Sequence, residues 1–399
     1  MNRNKIFLIL GCLAVCGIVF AALAEIAWIA KMGGPGDLRT RTNEILCSHE
    51  GINPIRVFNR EIETARFKGG NRPDFPNEQT DKLTVHAYPP WHTAYAWFYG
   101  SIPFPYVIAF VYLLSGIALT LIWTVVRGFI PKDRYQGFFL LSFVLLFIGY
   151  PIFNCLRWGN YSVIIAALAI LMYKALEKEK EIVAGFCWAL MMTKPQVALL
   201  FFWPLFWTCR FRAIVVSIGV CLAATLWPAY VYKESPIDLI LQIPSIGAPF
   251  VGGYLRRFVS EDVAKLICNV WMVICFVGCG FCTYLLRRAK PSYILYLPAL
   301  VFFPIWTYSQ SADHVVAFLI PVLLGLSALK GNKIAFVVCL IVILSGFEKY
   351  LWFVLVNTGS VNPRGLGWIT TGTGLFMTAA LTIGMLYLVE KSHEAYSEH

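Results

Sequence analysis

The chain has 399 residues, of which 58% are hydrophobic and only 14% charged, and its mean hydropathy is +0.67. A soluble domain carries about 25% charged residues; here the apolar residues are gathered into blocks, which excludes a soluble globular enzyme and predicts an all-α polytopic membrane protein. The net charge of +11 does not point to nucleic acid, because the cations sit mostly in short loops between apolar blocks, where they orient spans.

The first apolar block, residues 6–30, follows Arg3 and Lys5. It is too long for a signal-peptide core and reads as a retained first helix. A large polar loop follows, residues 31–103. It opens with Gly33-Gly34-Pro35-Gly36-Asp37, offers helical stretches at Leu38 to Cys47 and Arg60 to Phe67, and carries Gly69-Gly70, Pro73 and Pro76 toward its tip. Further spans are predicted over 104–126, 137–156, 161–176, 182–193, 196–209, 213–231, 265–286, 292–308, 313–329, 334–355 and 369–389. The fifth and sixth are short and separated by Thr193-Lys194-Pro195, so they read as two short helices or one helix kinked at Pro195. The count is about 12 spans, with a range of 10–12.

Positive residues set the orientation. Arg3/Lys5, Arg127/Lys132/Arg134, Lys174/Lys178/Lys180, Arg210/Arg212, Arg287/Arg288/Lys290, Lys330/Lys333 and Lys391 fall in alternate short loops, all on one side of a twelve-span chain. That side is cytoplasmic, with both termini inside and the large first loop outside the cytoplasmic membrane. Nine of the cysteines, among them Cys187, Cys221 and Cys279, lie in apolar blocks and serve as small hydrophobes. Only Cys47 reads as clearly a loop residue. Cys279-x-x-Cys282 has no matching ligand pair, so no zinc site is expected.

Polar residues cluster where the outer loops meet the bilayer: Asp37, Arg39 and Arg41; His86, Tyr88, Pro89, Pro90, Trp91 and His92; Arg157, Trp158 and Asn160; Lys194; Arg256 and Arg257; Asp313 and His314. Taken singly, each has a structural explanation. Asp37 suits a helix cap for the stretch that follows it. Arg157 and Lys194 suit snorkelling, and Trp91, Trp97 and Trp158 suit an aromatic belt. Together they form a basic set fitted to a phosphate beside a carboxylate and a histidine fitted to proton transfer. No P-loop or dinucleotide fingerprint is present, and the cytoplasmic loops are too short for a nucleotide-binding domain. A donor reaching this site is therefore expected to be lipid-linked. Asp37 is preferred over Glu44, Glu50, Glu61, Glu63, Asp74 and Asp81 as a base because it stands nearest the membrane, where such a donor presents its head group.

The ordered set Gly36-Asp37-Leu38, Gly51-Ile52-Asn53-Pro54, Tyr88-Pro89-Pro90, Arg157-Trp158-Gly159-Asn160, Lys194-Pro195 and Ser309-Gln310-Ser311-Ala312-Asp313-His314 resembles glycosyltransferase family 87 from residue 1 to about residue 330. The resemblance implies a GT-C-type membrane glycosyltransferase, a single domain over 1–399, similar to polyprenyl-phosphate-mannose-dependent α-mannosyltransferases. By the same resemblance Asp37 falls on the family's first-loop catalytic acid, His314 on a histidine opening a late helix, and Lys194 on a Lys-Pro after a short helix. Gly159-Asn160 departs from the family's frequent Gly-Gln followed by Asn, because Tyr161-Ser162 come next. Ile55 stands where a Tyr is common.

The expected reaction moves a sugar from a polyprenyl-phosphate donor to a glycolipid or polysaccharide acceptor with inversion, Asp37 accepting the proton of the attacking hydroxyl. Lys194, Arg157, Arg256, Arg257 and His314 are candidates for the leaving phosphate, and His86, Tyr88, Asn160 and Asp313 complete the expected substrate-binding set. No cofactor is expected and no metal is supported: the adjacent acids Glu261-Asp262 read as a solvated face. The rival expectations are a secondary transporter, which twelve spans fit but which no repeat between the halves supports, and a lipid-linked glycan flippase or polymerase.

Overall fold

A computed structural model describes residues 36–56, 88–127, 155–242, 259–288 and 292–306, and every regular element among them is helical. The predicted first and third spans, the last three spans and the tip of the first loop lie outside the described residues.

The first-loop segment opens with α1 (Gly36–His49), the helix expected from Leu38 to Cys47. Its polar composition would leave it marginal alone. Leu38 and Ile45 are fully buried, and Thr42 and Ser48 donate their hydroxyls to the carbonyls of Leu38 and Glu44, so packing holds it. Cys47, expected in a loop, is buried in this helix. The return segment forms α2 (Pro90–Ala96), with a proline at its first position where the missing N–H costs nothing, and then a 3-10 turn over Trp97–Gly100. The His49 ring packs 4.2 Å from Trp97 and hydrogen-bonds the Trp97 carbonyl, which docks the end of α1 on this corner.

Among the described residues three helices are long and apolar enough to cross a bilayer: Phe104–Val125 within α3 (Phe104–Arg127), and two further spans, Phe211–Tyr232 and Asp262–Leu285. Between them lie shorter apolar helices: α4 (Ser162–Glu177), α5 (Glu181–Met191), α6 (Pro195–Ala198), a 3-10 turn at Leu199–Phe201, and α7 (Phe202–Trp207). The long α8 (Phe211–Tyr232) follows, then α9 (Pro236–Leu241), α10 (Glu261–Leu285), a 3-10 turn over Ser292–Tyr296 and α11 (Leu297–Trp306). Each long helix is apolar on its exposed side as well: Leu113 and Ile117 on α3, Leu222 and Leu226 on α8, Val273 and Phe281 on α10. Such faces suit lipid and would be penalised in water. The chain is a helical membrane protein.

The core is built around α4 and α5. The α4 face of Val163, Ile165, Ala166 and Met172 is buried, as are Ala184, Trp188 and Met191 of α5. The α5 helix approaches α8 at Gly185, where a Cβ would stand 2.7 Å from the Ala213 carbonyl oxygen, so the crossing requires a glycine. At one end, Arg210 pairs with Glu181 at 3.1 Å, which brings the Arg210 loop beside the α4–α5 turn that carries Lys178 and Lys180. These are two of the loops expected to share the cytoplasmic side. Asn160 and Lys194 lie at the other end of α4 and α5.

At that other end the helical ladder is broken. Of the two alternatives for Thr193-Lys194-Pro195, the structure has two separate helices: α5 stops at Met191 and a new turn begins at Pro195. A break leaves carbonyls without helical partners, which is costly away from water. Indole N–H groups from three different elements take them. Trp91 of α2 donates to Met192, Trp188 of α5 to Ala198, and Trp306 of α11 to Gln196, at 2.9, 2.9 and 2.6 Å. Trp91 is therefore a buried structural donor rather than a belt residue. These clamps fix the segment that carries Lys194.

Candidate active site

Asp37 occupies the first turn of α1, half-buried, where a carboxylate complements the helix dipole. What faces it comes from the turn Cys155–Asn160. Gly159 has φ +65°, a left-handed conformation that glycine adopts without strain. The turn closes through Gly159 N–H to the Leu156 carbonyl and Asn160 N–H to the Cys155 carbonyl, at 3.0 and 2.8 Å. Asn160 is thereby presented to Asp37.

The side chain of Asn160 is a bridge. Its Nδ2 donates to Asp37 Oδ2 at 2.9 Å. Its Oδ1 accepts from Lys194 Nζ at 2.6 Å, from Ser162 Oγ at 2.7 Å and from the Ser162 N–H at 3.1 Å. Lys194 Nζ also donates to Ser162 Oγ at 3.1 Å. An ammonium has no lone pair, so the amide oxygen must face Lys194 and the amide nitrogen must face Asp37. The direction of the chain is therefore determined by chemistry: Lys194 to Asn160 to Asp37.

Lys194 is only 2% exposed. It does not snorkel. A buried ammonium is tolerated only when hydrogen-bonded and electrically compensated. Here two side-chain oxygens receive it, and the Asp37 carboxylate lies one amide away. The cation polarises the Asn160 amide and strengthens its N–H toward the carboxylate.

A second set of contacts closes a circuit on the same site. One turn after Asp37, Arg41 is buried, pairs with Glu44 at 2.8 Å and lays its guanidinium 3.4 Å from the centre of the Tyr88 ring. Burial alone would lower the Arg41 pKa, but the neighbouring Tyr88, Glu44 and Asp37 outweigh it and hold the pKa above its ordinary value. Tyr88 packs against His92, with centroids 4.7 Å apart, and His92 against Tyr161 at 5.7 Å. Tyr161 follows Asn160 directly, so the path returns to Asp37. Both ring nitrogens of His92 are buried without a hydrogen-bond partner among the described residues. Burial, with Arg41 adding to it, lowers the His92 pKa to about 3.

Of the residues singled out in the sequence, Asp37, Asn160 and Lys194 meet in one hydrogen-bonded chain and Tyr88 joins them through Arg41. Arg157 lies half-buried in the turn that presents Asn160. His86, Arg256, Arg257, Asp313 and His314 lie outside the described residues. Ser162, Glu44 and Tyr161 were not anticipated as site residues, and Arg41 and His92 were noted without a role. For Arg41 a signal was present: it is four residues from Asp37, hence on the same helix face. Ser162 is two residues from Asn160, the spacing at which an Asn side chain caps a backbone N–H. Among the described residues no group of three His, Cys, Asp or Glu side chains converges to hold a metal.

A second polar cluster ties the far end of the α1 segment to the end of α8. Asn53 Nδ2 donates to Glu234 at 3.1 Å and to Gln242 at 3.0 Å, Gln242 donates to Glu234 at 2.8 Å, and Arg56 pairs with Glu234 at 3.1 Å. It borders an open pocket of about 460 Å³ whose lining includes Arg56, Lys233, Glu234 and Asp238.

The model of one family, described as Glycosyltransferase family 87, matches residues 86–292, more than half of the 399-residue chain. The matched stretch contains Tyr88, His92, Arg157, Asn160 and Lys194; Asp37 precedes it. No curated protein and no solved structure matches the chain significantly.

Proposed function

The chain belongs to glycosyltransferase family 87, and from that premise we propose that it is an inverting transferase, most simply a mannosyltransferase, that moves a sugar from a polyprenyl-phosphate donor to a glycolipid or polysaccharide acceptor. In this reading the whole chain, 1–399, is one GT-C-like membrane domain in the cytoplasmic membrane. Both termini are cytoplasmic and the site faces outward. Membership of a glycosyltransferase family weighs against the transporter alternative. The family requires a sugar donor and an acceptor. The short cationic loops, with no room for a nucleotide-binding domain, support a lipid-linked donor.

The observation that carries the catalytic part is the buried chain from Lys194 through Asn160 to Asp37. A general base needs its carboxylate ionised and aimed. Asn160 holds one oxygen of Asp37 by its amide N–H, which fixes the direction of the other oxygen. The other oxygen takes the proton as the acceptor hydroxyl attacks the anomeric carbon and the bond from that carbon to the phosphate oxygen breaks. Polyprenyl phosphate departs with the bonding pair. Its growing charge is met by Arg157 and, in the same reading, by Arg256, Arg257 and His314, which stabilise the transition state more than the ground state. His86, Tyr88 and Asp313 line the sugar and acceptor side. Lys194 was expected to touch the donor; its burial and its bonds to Asn160 and Ser162 support a positioning role instead.

The test is transfer of radiolabel from short-chain polyprenyl-phosphate hexoses into membrane acceptors by the full-length protein in proteoliposomes. Wild type is expected to form product that Asp37→Asn does not. Equal turnover by the two proteins would remove Asp37 from the mechanism, and turnover of a nucleotide sugar alone would remove the lipid-linked donor.

A further inference from the structure

The short helix α2 carries three consecutive buried residues with polar side-chain atoms, and two of them have evident structural uses. Trp91 donates its indole N–H to Met192. Thr93 shares a side-chain hydrogen bond with Tyr232. His92 between them has neither ring nitrogen satisfied among the described residues, although the residue is only 3% exposed. Buried polar atoms are almost always hydrogen-bonded, and leaving both nitrogens of one ring unpaired destabilises the free protein. A phenylalanine would fill such a place without that cost. A retained imidazole with no partner among the described residues is placed to take one from a bound molecule.

The position of the ring says which partner. The ring packs between Tyr88, which Arg41 covers one turn after Asp37, and Tyr161, the residue that follows Asn160, whose side chain bonds Asp37. His92 thus lies among the side chains that flank Asp37 on both sides. The lowered pKa leaves the imidazole neutral near pH 7, with one N–H to donate and one lone pair to accept. That combination matches a hydroxyl, which also both donates and accepts. It does not match a phosphate, which near neutrality chiefly accepts and for which a cation is the usual partner.

We propose that His92 is a substrate-binding residue of the glycosyl-transfer site and that its two ring nitrogens take hydroxyl groups of a bound sugar. The inference rests on the family's sugar-transfer chemistry and on the location of the site at Asp37, not on the identity of the donor lipid. The hydroxyls belong either to the sugar of the donor or to the acceptor, and kinetics separates the two.

The experiment uses the full-length protein with His92→Phe, His92→Leu and His92→Gln, measured for melting temperature without substrate and for transfer from short-chain polyprenyl-phosphate mannose and glucose. The apolar variants are expected to melt no lower than wild type, because they remove unpaired buried nitrogens, yet to lose about tenfold in kcat/KM, the scale of one neutral hydrogen bond. His92→Gln, which keeps a donor and an acceptor, is expected to recover most of that loss. A rise confined to the donor KM assigns the hydroxyls to the donor sugar; a rise confined to the acceptor dependence assigns them to the acceptor. Apolar variants that transfer as well as wild type overturn the proposal. So does a drop in melting temperature shared by Phe and Leu, which would mean that the imidazole is satisfied within the fold. If wild type turns over no lipid-linked sugar, the donor reading fails while the melting comparison still decides the fate of His92.

Discussion

Two polar clusters pin the first-loop segment to the membrane core, one at each end of α1, and they use similar residues to different ends. Around Asn53 the amide bonds Glu234 and Gln242, these bond each other, and Arg56 completes the set at the surface. The partners meet one another's needs, as in a staple. Around Asn160 the amide instead links opposite charges, the cation buried at the broken helix and the half-buried carboxylate at the mouth of α1. There the bonds run in one direction, and beside them a histidine has no hydrogen-bond partner among the described residues. A cluster whose groups are satisfied among themselves holds structure; one that leaves groups over is prepared for a ligand.

The sharpest way to break this comparison is Asp37→Asn. The amide carbonyl still accepts from Asn160, so the melting temperature is expected to stay near wild type, while transfer falls by about 10²–10⁴-fold with loss of the general base. An Asn53→Asp substitution in the staple should leave transfer intact. A next, smaller effect comes from Lys194→Met. Removing a charge-assisted bond to Asn160 is expected to lower kcat by about 10–100-fold with KM for the donor little changed. A donor KM that rises with unchanged kcat would instead return Lys194 to the phosphate.

Much of the scaffold was legible because long apolar runs bounded by cations have few alternatives. The run predicted over 104–126 is α3, 161–176 is α4, and 213–231 lies within α8. Asp37 and Lys194 also stood out, since charge beside a membrane demands a reason. What joins them was not legible. The Asn160–Asp37 bond spans 123 residues of sequence and depends on the left-handed turn at Gly159. The interruption at Thr193-Lys194-Pro195 was visible, but whether the helix kinked or ended there turned on indoles from Trp91 and Trp306, far away in the chain. Periodicity reports which face is apolar; it carries no information on which distant group will satisfy a freed carbonyl.

His92 sharpens the comparison through pH. Among the described residues the charged and titratable groups facing its ring are Arg41, Tyr88 and Tyr161, none of which changes charge between pH 5 and 7. Its pKa falls from an ordinary 6.5 to about 3 on folding. The unfolded chain therefore takes up a proton below pH 6.5 that the folded chain refuses. The stability it contributes is fully present above pH 6.5 and is lost as the pH falls toward 3. At pH 5.5 the loss is about 1.4 kcal/mol. Melting curves of wild type and His92→Phe should accordingly draw apart as the pH is lowered from 7 to 5.5, with wild type the more acid-labile. Parallel curves would mean that the ring is protonated in the folded protein.

The smallest effect belongs to the staple. Asn53→Ala removes two side-chain bonds and the acceptor that caps the Ile55 N–H, but Glu234 keeps Gln242 and Arg56. The remaining partners stay near water, so the expected cost is about 1 kcal/mol of stability with kcat unchanged. A combined Asn53→Ala/Lys194→Met protein tests whether the two ends of α1 act independently. If they do, the stability losses add, as they should for sites without shared partners, and kcat equals that of Lys194→Met alone. An additional loss of kcat in the double variant would mean that the staple helps to aim Asp37 through the length of α1, and the division between a holding end and a working end would have to be withdrawn.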